Sequence, residues 1–70
     1  MNNRRTMTLN LTAGEMEGLE ALARRKDVSK TAVIRQALRL YLAVDTRLAH
    51  GQKLFFEDEH HNKTAEVMVL

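Results

Sequence analysis

The sequence predicts an intertwined dimer: each chain gives one strand to an intermolecular two-stranded antiparallel ribbon and two helices to a set of four, and a C-terminal β-hairpin follows. Three observations lead there. Residues 5–12, "RTMTLNLT", alternate, so that Met7, Leu9 and Leu11 share one face and Thr6, Thr8 and Asn10 the other. The chain turns helical directly afterwards, and a lone strand leaves both of its backbone edges without hydrogen bonds. Finally, 70 residues bury little core, and with no cysteine there is neither a disulfide nor a thiolate zinc site to supplement it. Two copies that pair their strands about a two-fold axis meet both needs.

The elements follow in order. In "TAGEMEGLEALARRKD", Thr12 with Glu15 three residues on has the form of a capping box. The basic run Arg24, Arg25, Lys26 complements the negative end of a helix over about 13–26. Met16, Leu19 and Ala23 share one face, with Leu22 beside them. Gly18 inside this helix costs about 1 kcal/mol relative to alanine, which leaves two readings, a close backbone approach or simple tolerance. Ser29 then caps a second helix, with Val28 packing back in front of it. Val33, Ile34, Ala37, Leu38 and Tyr41 recur at helical spacing as far as Leu48 or Ala49, and Gly51 stops the helix. These five residues, with Met7, Leu9 and Leu11, are the expected dimer core. The stretch "LYLAV" at 40–44 is apolar on nearly every side, which asks for cover on more than one face.

In the tail, segments 53–57 and 64–70 have strand composition and flank the polar "DEHHNK", predicting a hairpin. Leu54, one of Phe55 and Phe56, Val67 and Val69 would cover Leu40 and Val44. Neighbouring residues on a strand point to opposite faces, so the other phenylalanine needs a neighbouring subunit or a partner protein, or stays exposed. The expected organisation is a basic arm at 1–4, a dimerising domain of strand and two helices at 5–50, and a hairpin extension at 51–70.

Charge is unevenly placed within a net +2. Residues 1–50 hold nine Lys/Arg against five Asp/Glu, and residues 51–70 hold two against four. An anionic partner suits the first part and something different the second. No apolar run is long enough to span a membrane, and "MNNRRTMTLN" lacks the apolar stretch of a signal peptide, so no membrane contact and a cytoplasmic location are expected. Enzymatic readings fare poorly. Glu57, Asp58 and Glu59 stand beside His60 and His61, but at no spacing that suits zinc or calcium, and a solvated turn or a partner-facing loop explains them. His50 suits a helix end. There is no Ser/His/Asp arrangement and no Gly-rich phosphate loop, and no cofactor or metal is expected.

A two-stranded ribbon fits the major groove of B-DNA, where the hydroxyls and amide of Thr6, Thr8 and Asn10 can meet base edges or thymine methyls. Arg4 and Arg5 flank that face. The first turn after Ser29 gathers unpaired backbone N–H groups, the positive helix end, the Lys30 ammonium and the Thr31 hydroxyl, which together suit a phosphate. Alone, a threonine-rich strand is ordinary surface and Ser29 an ordinary cap. Together, one element specifies and the other seats it.

Over residues 5–42, through "RTMTLNLT" and "MEGLEALARRKDVSKTAVIRQALRLYL", the sequence resembles the ribbon-helix-helix family of DNA-binding repressors, of the CopG and Arc kind. The resemblance implies base reading by Thr6, Thr8 and Asn10 and phosphate gripping by Ser29, Lys30 and Thr31. Such proteins often carry glycine at the inter-helix turn, where this chain has Asp27, so a left-handed aspartate is expected there. Residues 51–70 lie outside the common core. Two functions stay open: a transcriptional repressor that binds double-stranded DNA as a homodimer or as a higher oligomer on DNA, and an antitoxin that also holds a protein partner through residues 51–70. Antitoxin tails of this kind are commonly disordered or helical until bound, so a compact hairpin would favour the plain regulator.

Overall fold

The computed structural model describes residues 4–60 and 63–69 of one chain. Its elements are α1 (Ala13–Lys26), α2 (Lys30–Ala49), β1 (Phe55–Asp58) and β2 (Lys63–Glu66). They divide into two compact units, residues 1–34 and 35–70. Residues 1–3 of the basic arm, His61 and Asn62 lie outside the described residues.

In the first unit, residues 4–11 hold no regular secondary structure, and no backbone–backbone hydrogen bond outside the helices involves them. A strand exists only against a second edge, and residues 4–11 meet none among the described residues. Met7 is 80% and Leu9 48% exposed, while Leu11 is half-buried. The helix that follows is closed at both ends by its own sequence. The Thr12 backbone N–H donates to Glu15 Oε1 at 2.9 Å and the Glu15 N–H to Thr12 Oγ1 at 3.1 Å, a complete capping box. At the far end the Val28 N–H reaches the Ala23 carbonyl at 3.0 Å and the Asp27 N–H the Arg24 carbonyl at 3.2 Å, with Asp27 at φ 54°, ψ 49°. This is a Schellman closure with an aspartate in the left-handed position that glycine usually takes.

Asp27→Gly is therefore expected to stabilise the fold by about 0.5–1 kcal/mol, because glycine takes this conformation without a Cβ penalty, less the backbone entropy it adds to the unfolded chain. Thermal melting at fixed concentration checks it. A lower melting temperature would mean that the aspartate side chain itself holds the turn.

Ser29 caps α2, accepting from the Ala32 N–H at 3.0 Å. The buried apolar side chains of the described residues are Ala23 and Val33, one from each helix, with Leu19, Leu22, Val28 and Ile34 half-buried around them. A Cβ built on Gly18 meets nothing within 4 Å, so within the chain this glycine is tolerated and serves no close approach.

In the second unit, α2 runs to Ala49 and ends on Gly51 at φ 82°. The Gln52 N–H reaches the Arg47 carbonyl at 3.1 Å and the Gly51 N–H the Leu48 carbonyl at 3.0 Å, a second Schellman closure. The His50 ring approaches the Thr46 carbonyl through Nδ1 at 2.7 Å, where a donor satisfies one of the last helical carbonyls. β1 and β2 pair antiparallel with Phe55 opposite Glu66 and Asp58 opposite Lys63, and the Val67 N–H extends the ladder to the Leu54 carbonyl at 2.7 Å. The His60 N–H donates to Asp58 Oδ1 at 2.9 Å, folding the chain into the turn.

The expected cover over α2 is corrected here. Leu40 is 67% exposed, and Phe55 and Phe56 are 52% and 70% exposed. β1 and β2 make no close approach to α2 and leave Leu40 open, whereas Leu54, one residue before β1, lines a groove with Val44 and Leu48. Val44, Leu48, Leu54, Val67 and Val69 are half-buried. Of the expected dimer core on α2, Leu38 is 58% and Tyr41 49% exposed and Ala37 is exposed too. Among the described residues no helix is long and apolar enough to cross a membrane.

Candidate nucleic-acid interface

All of the residues expected to meet DNA belong to the first unit. Thr6, Thr8 and Asn10 are exposed, as are Arg4 and Arg5 beside them. At the start of α2 the helical ladder begins with the Val33 N–H donating to the Ser29 carbonyl at 3.1 Å, and the Ala32 N–H is taken by the Ser29 hydroxyl. The backbone N–H groups of Lys30 and Thr31 are left with no hydrogen-bond partner among the described residues, both at the positive end of the helix. The Ser29 side chain is already committed to the cap. Its contribution to an anion would come from the turn it holds in place, and Lys30 and Thr31 would supply the donors.

One partner in this turn was not legible in the sequence. Lys30 Nζ lies 3.4 Å from Glu20 Oε2, with the two side chains 53% and 42% exposed. Glu20 is ten residues away on α1, and only the geometry of the turn between the helices brings the two together. A pair this exposed is worth about 0–1 kcal/mol, so it orients the ammonium without locking it away from a phosphate. The shallow hollow around them is lined by Glu20, Ala23, Arg24, Asp27, Val28 and Ser29 as well as Lys30. Its charged lining is two cations, Arg24 and Lys30, and two carboxylates, Glu20 and Asp27. No group of three or more potential metal ligands occurs among the described residues.

Residues 7–44 match the family model of the ribbon-helix-helix protein, copG family. The chain belongs to that family. No curated protein and no solved structure matches the chain. The general function of copG-family ribbon-helix-helix proteins is DNA-binding regulation, with dimerisation, and its members are regulators and not enzymes. The matched stretch takes in Thr8, Asn10 and the Ser29–Lys30–Thr31 turn, begins after Arg4, Arg5 and Thr6, and ends before the hairpin.

Proposed function

We propose that this ribbon-helix-helix protein is a sequence-specific transcriptional repressor that acts in the cytoplasm on double-stranded DNA as an intertwined homodimer. Residues 5–50 form the binding and dimerising domain, residues 1–4 a basic arm, and residues 51–70 an extension. Strands 5–11 of two chains pair into a ribbon whose Thr6, Thr8 and Asn10 side chains enter the major groove. Arg4, Arg5 and the Ser29–Lys30–Thr31 turn hold the phosphates on either side. Met7, Leu9, Leu11, Val33, Ile34, Ala37, Leu38 and Tyr41 close the shared core.

The observation that carries this reading is the state of residues 4–11 beside two well-capped helices. Their backbone is unpaired, Met7 and Leu9 are 80% and 48% exposed, and Thr6, Thr8 and Asn10 are open as well. Apolar and hydrogen-bonding groups exposed together on one segment call for a second strand, and the nearest identical one is in a second copy. The formed hairpin favours a plain regulator over an antitoxin, whose partner-binding tail would not need a paired register of its own.

Selection of bound duplexes from a random pool by the purified protein tests the proposal and should return one two-fold-symmetric consensus. Lys30→Ala should weaken binding to cognate and unrelated DNA nearly equally and reduce the slope of log affinity against log salt by about one for each phosphate no longer neutralised. Recovery of no consensus would sink the repressor reading. An unchanged salt slope for Lys30→Ala would remove the phosphate role from that turn.

A further inference from the structure

The second unit carries two surfaces that one chain leaves unsatisfied. The first is an open groove where the end of α2 meets the segment leading to β1, lined by Ala43, Val44, Leu48, Gln52 and Leu54 and by Arg47 and Lys53. Apart from Gln52, its lining is apolar or cationic. Lys53 stands 4.0 Å from Glu66, at the limit of an ion pair, and Arg47 has no carboxylate within that distance among the described residues. The second surface is the hairpin itself. Every residue of β1 is exposed, Phe55 and Phe56 at 52% and 70%, and the strand runs directly into the acids Glu57, Asp58 and Glu59. Glu57 and Glu59 have no cation within 4.0 Å among the described residues, and Asp58 stands opposite Lys63 in the ladder.

A two-stranded hairpin by itself is marginal in water. This one is aromatic and acidic, and the groove is apolar and basic, so the two complement each other in both respects. Within one chain they do not meet: Leu54 lines the groove, but β1, which begins at Phe55, makes no close approach to α2. We propose that the groove of Val44, Leu48, Leu54, Arg47 and Lys53 receives residues 55–59 of a second copy of this chain, making the C-terminal extension a self-association site separate from the ribbon. The phenylalanines meet the apolar lining and the carboxylates meet Arg47 and Lys53. Each copy offers both halves, so the exchange is self-complementary and depends on ionic strength.

Charge exchange between full-length chains tests this. One variant carries Arg47→Glu with Lys53→Glu, so that groove and hairpin are both acidic; the other carries Glu57→Lys, Asp58→Lys and Glu59→Lys, so that both are basic. Each alone should melt below the wild type at low salt and lose mass or concentration-dependent stability in sedimentation. Their mixture should recover the wild-type melting temperature and form mixed species beyond the proportion that random exchange through the ribbon produces. A third variant with both reversals in one chain should also recover. Recovery in that third variant without recovery on mixing would place the contact inside one chain and overturn the proposal. Two charge variants indistinguishable from the wild type would overturn it as well, and would leave the hairpin for a protein of another kind. DNA binding, measured in parallel, stays with the ribbon and the start of α2, so its loss or retention is scored apart from this result.

Discussion

Leu38→Ala is expected to destabilise the protein by about 2–5 kcal/mol, although Leu38 is 58% exposed in a single chain. The expectation comes from position. Leu38 continues the apolar series Val33, Ile34, Ala37, Leu38, Tyr41, whose first member is already buried at 6% exposure. A stripe that begins in the core of one chain and runs on uncovered is covered by another, and truncation of a leucine there leaves a cavity in the shared core. Leu40 provides the control. It is 67% exposed, about as open as Leu38, but it lies off that stripe, and Leu40→Ala should stay within about 0.5 kcal/mol of the wild type. Urea unfolding at matched concentrations measures both, and the wild-type midpoint should rise with protein concentration as folding and association are linked. Equal, small effects at the two leucines would show that the stripe is not an interface.

Asn10→Ala is expected to remove about 1–3 kcal/mol of preference for the cognate site, a loss of roughly 5- to 150-fold in the ratio of cognate to unrelated affinity. An asparagine amide presents a donor and an acceptor together and can pair with a base edge in two places, most often adenine. Alanine retains neither group, and a base edge that has shed its water against the ribbon is left unpaired. The same substitution should barely touch stability, because Asn10 is exposed and falls on the polar face of the proposed ribbon strand. Binding to unrelated DNA, carried by phosphate contacts, should change little. This separates Asn10 from Lys30, whose loss weakens all DNA alike. If Asn10→Ala keeps the full sequence preference, the base-reading face of the ribbon is the other one.

Both helices were legible because their boundaries are local chemistry. Thr12 with Glu15, Ser29 with Ala32, and Gly51 at φ 82° satisfy the terminal backbone groups with residues at most five positions away, and such signals survive any change in tertiary context. The left-handed turn at Asp27 was expected from the resemblance, which places glycine at the inter-helix turn, and aspartate is among the few other residues that tolerate positive φ. The proposed DNA-facing set Thr6, Thr8 and Asn10 rests on a period of two, which would place them together on any strand that residues 5–11 form; in the single chain all three are exposed and the segment is irregular. The hairpin was legible in existence but less so in extent, since β1 and β2 occupy 55–58 and 63–66 where composition suggested 53–57 and 64–70. Composition marks where a strand is permitted, whereas its ends depend on which backbone groups meet across the ladder.

By itself, then, the sequence determined helix ends, the existence of the hairpin and the deficit of core that a second chain would cover, because each depends on spacing along the backbone or on the total apolar surface to be covered. Tertiary structure decided what spacing cannot encode. It brought Glu20 to 3.4 Å from Lys30 across ten residues, and it left Leu40, Phe55 and Phe56 uncovered where alternation allowed cover. The reason is the same in both cases. A contact between elements depends on the path of the chain between them, and the turns at Asp27–Ser29 and Gly51–Leu54 set those paths through a few backbone dihedrals that no apolar pattern records.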